Sequence, residues 1–368
     1  MKIVIAPDSF KGSASSIEIS TWIADGITSH IPQCEIVKVP IGDGGEGSLD
    51  AALYAGFVAH EFNVSGPLGN SVRARIGLRN DVALVELAEA SGLSQLPMQE
   101  RAPMIATSFG TGELILRALD KGARTIILAV GGSACTDAGA GALQALGAHL
   151  LDADGVEIIH GGGSLSSCAS IDLSNIDSRI ASTQFILASD VDNPLTGPHG
   201  AAHVYSPQKG ASPEQVIALE NGLSHFASIA GGSHVNSPGA GAAGGFGFMA
   251  LTFLSAIQQS GIDTFLSMID FDTILTGADY VITGEGKFDS QSMSGKAPIG
   301  IYTAAHNRDV PVILVCGQST LNSSDNKAIT LHSLYQLVEF ESDINLCMKN
   351  PRPIVEKIGK TIARTLAE

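Results

Sequence analysis

The stretch Tyr280–Ile301, YVITGEGKFDSQSMSGKAPIGI, decides how this chain is read. It opens on Tyr280-Val281-Ile282, a short buried strand, and then breaks at the turn Thr283-Gly284-Glu285-Gly286. Lys287, Asp289, Ser290, Gln291, Ser292 and Ser294 crowd in behind it. A helix is expected from Lys296 or Pro298, since proline suits the first helical turn. A strand end, a glycine turn and a helix start bring backbone N–H groups and side chains to the carboxyl edge of a sheet, where open α/β folds take ligands. An ordinary βα loop is the plain alternative. Two glycines, two lysines and two acids in so few residues favour half of an active site.

The same rhythm opens the chain. Lys2–Ala6 (KIVIA) is a β-branched run ending in Pro7-Asp8-Ser9-Phe10-Lys11-Gly12. Ser15 and Glu18 then form a capping box, and Ile19, Trp22, Ile23 and Ile27 share one helical face. A second strand, Glu35–Val39, ends in Pro40-Ile41-Gly42-Asp43-Gly44-Gly45-Glu46-Gly47, with a helix from Ser48 to about Tyr54. Strand–loop–helix repeated in this way predicts a parallel, doubly wound sheet. From Ala59 to Glu89 the pattern changes to closely spaced strands with turns at Gly66–Asn70 and Asn80-Asp81, which implies antiparallel pairing. Further strands are expected at Thr125–Val130, Gln184–Ala188, Val310–Cys316 and Leu334–Phe340. The fold class is therefore α/β: a flavodoxin-like parallel-sheet domain from residues 1–58 and 276–368, with a second, mixed α/β domain, 59–275, inserted in it. A ligand site is expected in the cleft between them, above the crossings near 58 and 276.

Composition narrows the function. The 368 residues are long for one domain, and with 44% hydrophobic and 16% charged residues they suit a large core. The net charge of −16 argues against nucleic acid and anionic lipid as partners, while leaving room for a small anion on a local cluster of lysines. Cys34, Cys135, Cys168, Cys316 and Cys347 are scattered without zinc or disulfide spacing, which fits reduced thiols. The opening MKIVIAP lacks the pattern of a signal peptide, and the uncharged run 236–262 reads as a buried helix rather than a membrane span. A cytoplasmic location is expected.

Three loops carry candidate chemistry. Asp8 suits a metal or a substrate hydroxyl, although Asp8 or Ser9 also suits a simple turn, and Lys11 suits a phosphate or carboxylate. In Gly42–Gly47 the glycines allow close ligand approach, and Asp43 with Glu46 suits Mg²⁺. Asp190 and Asp192 follow the strand Gln184–Ala188 and fall on one side of an extended chain. Such a pair serves metal-assisted phosphoryl transfer, one acid placing the metal and the other orienting or deprotonating a hydroxyl. Gly131–Asp137 reads equally as a second phosphate loop or as tight packing. Gly239–Gly244 matches GxGxxG but follows Ser237-Pro238 rather than a strand, so a nicotinamide dehydrogenase is disfavoured. Walker A and protein-kinase signatures are missing, and of the histidines only His199 lies close to a candidate acid.

Taken together, APDSFKGS, PIGDGGEGS, GGSACTDAGAG, ASDVDNPLTGPHGA, SPQKGA, GAGAAGGFG and TGEGKFDSQSMSGKAPIGI, in this order, resemble the bacterial class I glycerate kinases across nearly the whole chain. The resemblance implies phosphorylation of D-glycerate by ATP with Mg²⁺, giving 2-phosphoglycerate; a 3-phosphoglycerate-forming enzyme or a non-catalytic hydroxy-acid binding protein are the alternatives. It implies glycerate and ATP as small-molecule partners, with a homo-oligomer left open. Combined with loop position, it gives Asp190, Asp192, Lys11 and Lys287 as catalytic residues, and Asp43 and Asp190 as metal ligands. Asp8, Ser9, Gly44, Gly45, Gly284, Glu285, Gly286, Asp289, Gln291 and Lys296 are the expected nucleotide contacts. One segment departs from the family: Cys135, Thr136 and Ala138 stand where it usually has Thr, Asn and Gly.

Overall fold

The computed structural model describes residues 1–367 apart from 43, 46, 291, 295 and 321–328. The chain opens with β1 (Lys2–Ile5) and β2 (Glu35–Lys38). It continues through β3 (Val58–Ser65), β4 (Ser71–Arg79), β5 (Val82–Glu86), β6 (Thr125–Ala129), β7 (His149–Leu151), β8 (Ser170–Asp172), β9 (Gln184–Ala188) and β10 (Ile257–Gln259). It closes with β11 (Tyr280–Phe288), β12 (Val312–Ser319) and β13 (Ser333–Gln336). By contact density it divides into two compact units, 1–43 with 262–368, and 44–261.

In the first unit the sheet order is β13-β12-β11-β1-β2, and each of these pairings is parallel. This is the doubly wound flavodoxin-like order, whose direction reverses between β1 and β11. Ile3, Val4, Ile5, Val281 and Ile282 are fully buried, as expected of a parallel sheet covered on both faces. Ile3 and Ile5 meet Ile19, Ile23 and Ile27 of the helix Ser16–Thr28, together with Val355, Ile358 and Ile362 of the helix Arg352–Ala367. The Ser15–Glu18 capping box starts the first of these helices. The two helices approach backbone to backbone: a Cβ added at Gly26 would lie 2.4 Å from the Glu356 carbonyl oxygen.

The second unit holds a six-stranded mixed sheet, β10-β9-β6-β5-β4-β3. The antiparallel β3–β4–β5 meander turns parallel at β6, and β9 and β10 follow in the same sense. The breaks between units precede the expected 58 and 276 for a packing reason. The helix Ser48–Tyr54 goes with the second unit because Leu49 sits against Gly77 of β4 and takes a carboxylate bond from its amide to Glu86. Ile262 goes with the first unit, against Gly300, and the Lys2 ammonium holds the carbonyls of Ile274 and Thr276.

Three elements differ from their sequence reading. β11 runs on through Phe288 instead of turning at Thr283–Gly286. Leu337–Phe340 is a helical turn, not the end of a strand, because Gln336 and Glu339 form a capping box there. The apolar run after Pro238 gives the helix Ala242–Phe253, entered through left-handed Ala243, Gly244 and Gly245, and then β10. Among the described residues no helix is long and apolar enough to cross a membrane.

Replacing Gly26 by alanine sets two effects against each other. Helix propensity favours alanine by about 1 kcal/mol, whereas the Glu356 carbonyl leaves no room for a methyl group. Overpacking of this kind costs about 1–3 kcal/mol. Gly26→Ala is therefore expected to lower the urea midpoint, and a raised midpoint would show that the helix pair relaxes freely.

Candidate functional site

β11 builds the candidate site of the first unit. β1 leaves its side after Ile5↔Ile282, but β11 stays paired with β12 from Val281↔Val312 to Phe288↔Ser319. Gly284 is a strand glycine: an added Cβ would collide with the Val315 carbonyl, and its own carbonyl accepts the Asp8 amide at 2.8 Å. The Thr283 hydroxyl donates to the Ala6 carbonyl at 2.8 Å and ties the same two segments together. Asp8 is buried, and its Oδ1 accepts the Ser9 amide at 2.6 Å.

These strand ends open on a cavity of about 470 Å³. Ser9, Lys11, Glu285, Lys287, Asp289 and Lys296 belong to its lining, together with the bare backbone of Gly286. The Lys287 ammonium lies 3.2 Å from Asp289 Oδ2. Ser292 closes the turn beneath: its hydroxyl accepts the Asp289 amide at 3.1 Å and donates to the Lys287 carbonyl at 3.4 Å. Lys296 caps the helix Ala297–His306, with Pro298 in the first turn as expected. Glu285 is only 7% exposed, and its Oε1 has no hydrogen-bond partner among the described residues. Burial pushes its carboxyl pKa up, against the opposing pull of the Ser292 hydroxyl and the Lys296 ammonium.

The second unit presents the carboxyl ends of β5, β6, β9 and β10 on one edge. Asp190 and Asp192 stand exposed just past β9, and Asp190 Oδ1 accepts the Gly261 amide at 2.8 Å. Gly44, left-handed at φ 83°, lies against the Ala188 carbonyl and accepts the Gly131 amide at 3.1 Å, so the glycine loop joins this edge. Gly45 follows it, half-buried. Asn193 anchors the segment after Asp192, donating to the His199 carbonyl and accepting the Tyr205 hydroxyl. Asp43, Glu46 and Gln291 lie outside the described residues. Of the expected site residues, then, Ser9, Lys11, Glu285, Gly286, Lys287, Asp289 and Lys296 share one cavity, while Gly44 and Asp190 share an edge of the other unit. Among the described residues no group of three His, Cys, Asp or Glu side chains is placed to hold a metal.

Two buried charges on that second edge escaped the sequence reading. Glu86, at the end of β5, accepts the Gly47 amide at 3.1 Å and the Leu49 amide at 2.8 Å through its two oxygens, and so holds the glycine loop. Its signal was a lone acid in the apolar run VALVELA. Lys209, 2% exposed, donates to the Ser133 hydroxyl at 2.8 Å and the Cys135 carbonyl at 2.5 Å. Burial pulls its pKa down, with the Cys135 thiol and the Asp137 carboxylate opposing. Asp137 is fully buried and accepts from the amides of Ser108, Gly139 and Gly141 and from the Ser108 hydroxyl, so this half of the 131–137 loop is packing. Gly244 and Gly245 press on Cys135 and Ala138, which gives the GxGxxG segment a structural use. Ala138 is held left-handed at φ 54°, a conformation that costs an L-residue about 1 kcal/mol.

Burial pushes Glu86 up to about 7, the Leu49 and Gly47 amides oppose the shift, and the nearby Glu89 and Asp50 carboxylates add to it. Its folded-state pKa thus exceeds the unfolded value of 4.5. Between these values the folded chain keeps a proton that the unfolded chain has lost, so the contribution is complete below about 4.5 and disappears as pH rises through 7. Urea unfolding from pH 5 to pH 8 is expected to show this loss in the wild type. Glu86→Gln is expected to flatten it by an amount on the order of 2 kcal/mol. Parallel pH profiles for the two proteins would rule out the assignment.

The glycerate kinase family model matches residues 3–367 of the chain. Glycerate kinase of Bacillus subtilis (strain 168) is 45% identical over 377 residues, covering 100% of this chain and 98% of its own. Glycerate 2-kinase of Escherichia coli (strain K12) is 46% identical over 375 residues, with the same coverage of 100% and 98%. A crystal structure of a proposed glycerate kinase 2 from Salmonella typhimurium LT2 superposes with a TM-score of 0.85 at 40% identity, covering 100% of this chain and 98% of that one. Together with the parallel sheet, the lysine-lined cavity and the acid-bearing strand edge, these matches make the chain a member of the glycerate kinase family.

Proposed function

We propose that this chain transfers the γ-phosphoryl group of ATP to the 2-hydroxyl of D-glycerate, giving 2-phosphoglycerate. The observation that carries the reading is the family match over residues 3–367, with a relative named glycerate 2-kinase at 46% identity. Phosphoryl transfer asks for in-line positioning and charge neutralisation more than for covalent chemistry. Lys11, Lys287 and Lys296 are the groups proposed to neutralise the phosphates, supported by their convergence on one cavity beside the open backbone of Gly286.

Mg²⁺ would supply further charge neutralisation on the phosphates when bound. It takes oxygen ligands, commonly one or two carboxylates together with phosphate oxygens and water. Glu285 fits such a role, having a buried Oε1 without a partner among the described residues, with Asp289 beside it in the cavity lining. Asp190 is the further metal ligand proposed, together with Asp43. Asp190 and Asp192 are also the acids proposed to orient the acceptor hydroxyl and take its proton, which exposed carboxylates at a strand end can do.

A coupled assay of ADP release with D-glycerate as acceptor tests the activity, and no release would end the reading. A phosphorus NMR spectrum of the product separates 2-phosphoglycerate from 3-phosphoglycerate. Asp190→Asn keeps an oxygen for the Gly261 amide but removes the charge. It is expected to lower kcat by about 100-fold or more with the unfolding midpoint unchanged; near-normal turnover would remove Asp190 from the chemistry.

A further inference from the structure

The cavity of the first unit is lined by residues of two opposite chemistries. Besides the lysines and carboxylates, its lining includes an apolar wall of Leu337, Val338, Ile344, Cys347 and Met348, from the helical segments Leu337–Phe340 and Ile344–Lys349. Ile344 is 58% and Met348 44% exposed, so apolar surface is left to solvent at the rim of the cavity. The wall is anchored to the lysine loop: the Ser13 hydroxyl, two residues after Lys11, donates to the Met348 carbonyl at 2.7 Å. Burial of Leu337 in the core fixes the inner end.

The ligand that satisfies both chemistries at once has a flat apolar group at one end and several anionic oxygens at the other. Glycerate does not, since each of its three carbons carries oxygen. A nucleoside triphosphate does, and a cavity of about 470 Å³ is within the usual range of roughly 300–1,000 Å³ for small-molecule sites. We propose that the Leu337–Met348 wall seats the nucleobase of the phosphoryl donor, with its phosphates running toward Lys11, Lys287 and Lys296. This rests on the kinase reading and adds to it which element holds the base. The five side chains of the wall offer aliphatic contact and a thiol already turned to the Glu341 carbonyl, so they discriminate bases by shape rather than by a hydrogen-bond code. The Gln318 amide in the same lining can both donate and accept, so loose selectivity between purines follows.

Calorimetric binding of ATP, GTP and inorganic tripolyphosphate, without acceptor, tests the assignment. Wild-type affinity for GTP is expected within about 30-fold of that for ATP, and a larger gap would overturn the shape-only recognition. The double variant Ile344→Ser/Met348→Ser removes exposed apolar surface without adding charge. It is expected to bind ATP about tenfold more weakly, a 1.4 kcal/mol change, and tripolyphosphate as the wild type does. Unchanged ATP affinity, or an equal loss for tripolyphosphate, would overturn the base seat. Because no acceptor is present, failure of the kinase reading shows separately: ATP binds as described, yet glycerate yields no ADP.

Discussion

The site of the first unit depends on the backbone bonds that β11 continues to make with β12 after β1 has ended. From Thr283↔Leu314 to Phe288↔Ser319 the strand is paired with another strand on one edge only, and its other edge faces the Asp8–Lys11 loop. The Asp8 amide takes the Gly284 carbonyl there, and the loop is held where β11 passes it. Alternation along the strand then puts Glu285 and Lys287 on one face and the two glycines on the other. Glu285 is consequently carried into a buried position as part of the ladder, which is how a carboxylate comes to rest with an oxygen that has no partner among the described residues, against its solvation preference.

The second unit handles buried charge differently. Glu86, Asp137 and Lys209 are each less than 4% exposed, and each satisfies the groups of a loop rather than a counter-ion. Glu86 orders the glycine loop before the helix Ser48–Tyr54, Lys209 holds Ser133 and Cys135 within the 131–137 loop, and Asp137 at its end takes the amides of Ser108, Gly139 and Gly141. Buried ionisable groups are tolerated when hydrogen bonds replace hydration, and here the gain is fixed loop geometry along the edge that carries Asp190. The left-handed Ala138 sits inside this network, so its strain is held by the packing around it.

Much of this was legible in the chain itself. A β-branched run announced β1, short apolar runs announced β6 and β9, and the Ser15–Glu18 capping box announced the first helix. The lysines and acids of Glu285–Lys296 stand out in the sequence for their chemistry, whereas Gly284 and Gly286 read there as a turn. They serve close backbone approach inside a strand, a use of glycine that has no separate local signature. The base-seat wall was missed because LYQLVEF alternates like a strand, and only the Gln336–Glu339 cap turns it helical. Glu86 and Lys209 were missed because one charge among apolar or small residues reveals nothing until its partners, distant in sequence, are known.

What the residues determined alone was local: which segments are stiff and apolar, where helices begin, and which side chains are available for phosphate and metal chemistry. These depend on neighbours a few positions apart. Tertiary structure decided the order β13-β12-β11-β1-β2, the gathering of Lys11 with Lys287 and Lys296, and the apolar wall that shares their cavity. Each of those unites residues hundreds of positions apart, through strand pairing and core burial that no short window of sequence encodes.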